Sequence, residues 1–285
     1  MTELIRDTQG EYGRAEHLLN LNRYEDAIPI IGAELAKDPQ NYMVHYQMTR
    51  AFLGLGDLVG ATHHSEIMIS EHPDLALGYY IKSYIEHEKH NFVEELKMAE
   101  QAANIEPEDT DILRRLVQAQ MQNGLLKRAR ETVEQLVLLA PDDMETQELM
   151  GDICLELKDY FQAKKHYEAA LEFNPEDAGL LNDLARCFIG LKQRKDAIDA
   201  MHNALRMTPD SDILRSNLFR TIQSFLDREK LKGKAAFRSL PDELQFFYSD
   251  FKGRTNVFQR HGAVFWGVMW ILLLAGMITF FSSFT

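Results

Sequence analysis

Apolar side chains recur three and four positions apart over most of the chain, as in YFQAKKHYEAALEF at 160–173. That spacing predicts amphipathic helices, each with one face to bury. The pattern repeats with a strict period: Pro39, Pro73, Pro107, Pro141, Pro175 and Pro209 follow one another at intervals of 34 residues. A period of this size marks a stack of similar units, none of which can bury its apolar face alone. Twelve residues before these prolines stand Ala27, Ala61, Glu95, Ala129, Ala163 and Ala197, and twenty-four before them Ala15, Thr49, Ser83, Val117, Gly151 and Ala185. Small side chains at two fixed points predict two helices per unit, crossing closely. Glu95 is the exception.

Gly56, Gly124, Asn22 and Lys158 interrupt the apolar pattern within a unit and predict turns there. At the unit boundary, proline stops the second helix. Two residues later Asn41, Asp109, Asp143, Asp177 or Ser211 is placed to cap the next helix, and Leu75 breaks that series. These features resemble the tetratricopeptide repeat family over roughly residues 8–211, with GDICLELKDYFQAKKHYEAALEFNP at 151–175 nearest to its pattern. The resemblance implies antiparallel helix pairs stacked into a right-handed superhelix, whose concave face binds a peptide or a partner protein. The expected fold is all-α: a right-handed α-solenoid of six antiparallel helix pairs, closed by a capping helix that opens at SDILRSNLFRTIQSFLDREK, over residues 1–226.

Beyond the repeats the character changes. Residues 227–262 hold eight Lys or Arg against five Asp or Glu, whereas residues 1–226 hold 23 against 39. The stretch SLPDELQFFYSDF, with a cap expected at Ser239 and Pro241 in the first turn, reads either as an interfacial helix or as a short helix packed back on the last repeat. Ala263 to Phe284 is an uncharged run of 22 residues, about 33 Å as a helix and long enough to cross a hydrocarbon core. A C-terminal transmembrane helix is therefore expected over 263–284, with 227–262 as its connector. Lys252, Arg254 and Arg260 precede it and nothing charged follows, which places the repeats on the cytoplasmic side. The uncharged SSFT ending favours a bacterial inner membrane or an endoplasmic-reticulum-type membrane, the former being the expectation here. Ala263, Gly267, Ala275, Thr279 and Ser283, set at four-residue steps but for Ile271, form a small-residue row suited to docking on another membrane helix.

Composition and chemistry narrow the function further. A net charge of −13 disfavours nucleic acid as a ligand. The polar, acidic opening MTELIRDTQGEYGRAEH predicts no secretory leader, and the two cysteines, Cys154 and Cys187, read as buried small hydrophobes in a reducing compartment. No phosphate loop, metalloprotease helix, paired Cys-x-x-Cys or nucleophile elbow appears, so neither enzyme nor cofactor is expected. His87 and His90 could at most hold a metal, while His63 and His64 point to different faces.

Twenty-seven residues before the six periodic prolines stand Tyr12, Tyr46, Tyr80, Arg114, Glu148 and Asn182, and four further on Glu16, Arg50, Tyr84, Gln118, Asp152 and Arg186. By the family resemblance these offsets face the concave side. The groove is thus expected to be aromatic toward the N-terminus and charged toward the C-terminus, with Tyr12, Tyr46, Arg50, Tyr80, Tyr84, Arg114, Gln118, Asn182 and Arg186 binding a protein or peptide; packing between hairpins is the competing role for the tyrosines. The Lys, Asn and Arg set with which some relatives clamp a chaperone's terminal carboxylate is absent: the matching places hold Tyr12, Glu16, Gln47, Leu77 and Ile81. The function expected is a membrane-anchored scaffold that assembles or recruits a membrane complex, with a protein ligand, an integral membrane partner and the bilayer as its contacts. The alternatives are an organelle tether and a regulatory subunit of a membrane enzyme.

Overall fold

A computed structural model describes residues 13–228 and 233–252. Among them every regular element is a helix: α1 (residues 13–20), α2 (Tyr24–Lys37), α3 (Tyr42–Gly54), α4 (Leu58–Glu71), α5 (Ala76–Glu88), α6 (Phe92–Ile105), α7 (Thr110–Gln122), α8 (Leu126–Leu139), α9 (Met144–Glu156), α10 (Tyr160–Phe173), α11 (Ala178–Gly190), α12 (Arg194–Met207), α13 (Asp212–Arg228), α14 (Gly233–Arg238) and α15 (residues 242–252). The first twelve make the six expected pairs, and each second helix stops two residues before its proline. Two compact units divide the chain, Met1–Pro175 with α1 to α10 and Glu176–Thr285 with α11 to α15. In the first unit each pair also packs on the next through α2–α3, α4–α5, α6–α7 and α8–α9.

Each pair is closed by the same turn. Asn22, Gly56, His90, Gly124, Lys158 and Lys192, again at 34-residue intervals, all have φ between 57° and 73°. The left-handed residue donates its amide three residues back and its successor donates five back, as in Gly124 to Met121 at 2.9 Å and Leu125 to Gln120 at 2.8 Å. This is the Schellman arrangement, which satisfies carbonyls that the helix end would otherwise leave open. At the unit boundaries the expected caps are in place: Asn41, Asp109, Asp143, Asp177 and Ser211 each accept a bond from an amide of the first turn, while Leu75 caps nothing.

The two rows of small residues are the seams of the pairs. All six positions twelve before the prolines have no exposed surface, Glu95 included. Gly151 supplies the closest approach: a Cβ there would fall 2.7 Å from Cε1 of the fully buried Tyr167. Glu95 is tolerated because Arg115, itself 3% exposed, reaches its carboxylate at 2.7 Å, and His87 lies 3.1 Å away. A buried charge needs such a partner, since desolvation otherwise outweighs any packing gain.

In the second unit, α13 is covered rather than terminal. Leu244 and Tyr248 of α15 are buried in one cluster with Leu218 and Ile222, and Phe219 stacks on Tyr248 with ring centroids 5.0 Å apart. SLPDELQFFYSDF therefore packs back on the last helices of the solenoid, leaving Phe246 exposed. The expected cap shifts: Ser239 donates to the Ala236 carbonyl and ends α14, while Pro241, just outside α15, accepts from Leu244 and Gln245 at 3.0 Å. Burial of Leu240 between the two helices draws the turn to this point. Among the described residues no helix is long and apolar enough to cross a membrane. The expected span 263–284, with Ala263, Gly267, Ala275, Thr279 and Ser283, lies outside those residues, as does Tyr12.

Candidate functional site: an acidic, tyrosine-walled groove

The first helices α5, α7 and α9 lie side by side and enclose a groove of about 420 Å³. Both offsets singled out in the sequence contribute from three successive repeats: Tyr80 and Tyr84 from α5, Arg114 and Gln118 from α7, Glu148 and Asp152 from α9. Residues one helical turn apart share a face, which is why positions four apart converge. One turn earlier, Asp111 and Glu145 also line the groove. Sequence reasoning passed over this acidic pair, although the two stand 34 residues apart and so occupy one repeat position.

Tyr80 and Tyr84 meet edge to face, ring centroids 5.2 Å apart, with their hydroxyls 3.4 Å apart. Burial, then the Tyr84 hydroxyl, raises the Tyr80 phenol far above its ordinary range, so it stays a neutral donor. Arg115 lies 4.2 Å from the Tyr84 ring centroid and is fixed by Glu95 and by the Ser83 hydroxyl and carbonyl. Arg114 bridges Asp111 on its own helix and Asp143, the cap of α9, at 3.2 Å. Its Nε lies 3.2 Å from Glu145 but without hydrogen-bond alignment, so this contact is purely electrostatic. On the far wall Asp152 accepts from the Tyr167 hydroxyl at 2.6 Å.

Residues 89–153 and 155–219 match the family model described as Tetratricopeptide repeat. Those two segments are similar to tetratricopeptide repeats. The solved structure of PilW, a widely conserved type IV pilus biogenesis factor, superposes with a TM-score of 0.68 at 14% identity, over 74% of this chain and 97% of that one. YrrB, a TPR protein with an unusual peptide-binding site, superposes with a TM-score of 0.53 at 17% identity, over 65% of this chain and 94% of that one. At such identities the likeness is one of fold. A human protein, the O-mannosyl-transferase TMTC1, is 26% identical over 172 residues, which are 59% of this chain. The chain spans 19% of the length of that relative.

The other nominated residues are held by their own neighbours. Arg50 donates to Glu16 at 2.6 Å and to Asn20 at 3.0 Å, and its guanidinium lies 5.6 Å from the Tyr46 ring centroid. Burial alone would raise the Glu16 carboxyl, but the donors Arg50 and Gln47 outweigh it and hold it below the usual range. Arg50 therefore links α3 to α1 with Tyr46 beside its guanidinium, and neither residue lines the groove. Asn182 and Arg186 stand on α11 of the second unit, where Asn182 accepts from Asn217 and Arg186 pairs with Asp183 at 2.9 Å. His87 faces Glu95 and His90 is a turn residue, so the two are not brought together; among the described residues no cluster could hold a metal. His45 and His64 do meet, with Nδ1 atoms 2.9 Å apart, and burial followed by the neighbouring His45 lowers His64 to about 4. Neither Cys154 nor Cys187 forms a disulfide, and both are buried.

Proposed function

We propose that this chain is a non-enzymatic scaffold that docks a segment of a partner protein in the groove of α5, α7 and α9, and that the apolar run Ala263–Phe284 holds it on the cytoplasmic face of a membrane beside an integral membrane partner. The observation that carries the reading is the groove itself: concave, within the range of about 300–1,000 Å³ usual for ligand sites, and lined by tyrosine rings beside charged groups. Tyrosine offers wide contact area with little side-chain freedom to lose, which suits recognition of a chain segment. The fold shared with a peptide-binding repeat protein and with a pilus biogenesis factor supports the same direction.

The test is an array of immobilised nine-residue peptides of varied sequence, probed with the labelled full-length chain in mild detergent. Capture of a subset is expected, and Tyr80→Ala is expected to weaken it about tenfold, the loss usual for a central aromatic contact. The thermal midpoint should barely move, because Tyr80 is only half-buried. Capture that survives Tyr80→Ala would place binding elsewhere, and a large fall in midpoint would make the ring a packing residue.

A further inference from the structure

We infer that the tyrosine half of the groove of α5, α7 and α9 selects a proline-rich segment of the partner in the extended polyproline conformation, its rings seated against Tyr80 and Tyr84 and its carbonyls bonded by Gln118 and Gln122. This rests on the groove reading above and adds the chemistry of the ligand.

The groups along the tyrosine half are hydrogen-bond donors rather than charges. Tyr80 and Tyr84 stand at 79° with their hydroxyls 3.4 Å apart, so a bond between them engages one proton and leaves the other hydroxyl to donate elsewhere. Gln118 and Gln122 lie one turn apart on α7, both exposed and both lining the groove. Arg115 donates to the Gln118 oxygen at 3.4 Å, which leaves the amide N–H groups of that side chain for a ligand. The two arginines beside them are paired, Arg114 with Asp111 and Asp143 and Arg115 with Glu95.

A ligand that meets donors must bring acceptors. Proline keeps its carbonyl and has no N–H, and in the polyproline helix no internal bond occupies that carbonyl. Other residues bring one N–H with each carbonyl, and an N–H turned toward the tyrosine half would lose water and meet another donor, which is costly. Shape favours the same ligand. The two rings meet edge to face, centroids 5.2 Å apart, and form a notch in which Tyr84 is 37% exposed. Arg115, 4.2 Å from the Tyr84 centroid and bound to Glu95 and Ser83, holds that wall in place before a ligand arrives. Pyrrolidine rings pack on aromatic faces of this kind, with Met121 and Leu149 as further apolar lining. Neighbouring helix axes lie about 8–10 Å apart, so α5 to α9 is roughly 20 Å, the length of about six polyproline residues at about 3.1 Å each. A segment already extended has little backbone freedom to lose on entering so short a site.

The experiment uses the full-length chain in mild detergent and two fluorescein-labelled heptapeptides followed by anisotropy, Gly-Pro-Pro-Leu-Pro-Pro-Gly and the same sequence with alanine at every proline. Alanine restores the N–H groups and removes the rings. The proline probe is expected to bind at least about tenfold more tightly, with little change as salt rises because no ion pair forms. The double variant Gln118→Met/Gln122→Met keeps side-chain length and helix propensity and removes the donors; it should weaken the proline probe about tenfold at an unaltered thermal midpoint. Tyr84→Phe, which keeps the ring and loses one hydroxyl, should weaken it about threefold, and it decides alone if the double variant loses stability. Equal affinity for the two probes, no binding of the proline probe, a steep loss of its affinity with salt, or indifference to both variants would each overturn the inference. The peptide array separates the two levels: Tyr80-dependent capture of peptides without proline enrichment would remove the proline preference and leave the groove standing, whereas an empty array would remove both.

Discussion

Glu95 carries the clearest energetic argument at the scale of single residues. It occupies the seam where five other repeats place alanine, and Arg115, twenty residues on in the next repeat, neutralises it at 2.7 Å. Removing one partner leaves a desolvated charge, whereas removing both leaves a smaller, apolar seam. Glu95→Ala and Arg115→Met are each expected to cost about 3 kcal/mol in urea unfolding, and the double variant much less than the sum of the two. Additive losses would mean that the pair does not act as a unit. The same double variant removes the guanidinium under Tyr84, so a looser groove should accompany its recovered stability. This arrangement was not legible beforehand: periodicity marks position 95 as a place for a small side chain, and nothing in the spacing says that a buried cation from the following repeat will stand opposite.

At the scale of elements, the turn inside each pair is the part most open to test. The six left-handed positions share one geometry but not one chemistry, since two are glycine, one asparagine, two lysine and one histidine. A side chain in this conformation is disfavoured by contact between Cβ and the backbone, by about 1 kcal/mol. Lys158→Gly is accordingly expected to stabilise the chain by up to about 1 kcal/mol, and Gly124→Ala to destabilise it by a similar amount, both read as urea midpoints. The contrast in type explains what the sequence revealed. Asn22, Gly56, Gly124 and Lys158 interrupt an apolar pattern visibly, whereas His90 and Lys192 look like ordinary surface residues until their register is counted. The caps after the prolines were legible for the opposite reason, because a single short polar side chain performs them. The groove was legible in part: the offsets of Tyr80, Arg114 and Glu148 and of their partners four residues on converge as expected, but one repeat earlier Arg50 is spent on a tie to Glu16 and Asn20, with Tyr46 beside its guanidinium. Position within a repeat fixes which way a residue points, not whether a neighbour has already claimed it.

For the whole molecule, the argument turns on charge and apolarity along the chain rather than on any one contact. An acidic repeat region is followed by a segment with eight basic against five acidic residues and then by Ala263–Phe284, which carries no charge. α15 packs on α13, so the segment between that helix and the apolar run begins at residue 253 and is short. If Ala263–Phe284 spans a membrane as proposed, it would hold the repeats close to the bilayer, and the Lys252, Arg254 and Arg260 flank would favour the cytoplasmic side. The full-length chain is expected to sediment with membranes and to stay there through alkaline carbonate extraction, while a chain ending at residue 252 should appear in the soluble fraction with its helices intact by circular dichroism. In inverted vesicles, added protease should degrade the repeats; in intact cells or right-side-out vesicles it should not. Release of the full-length chain by carbonate would remove the anchor, and protection of the repeats in inverted vesicles would reverse its orientation. Either result would leave the groove and its tyrosine wall unaffected, because those depend on contacts within α5, α7 and α9. The anchor would decide only which partner segments that groove can meet.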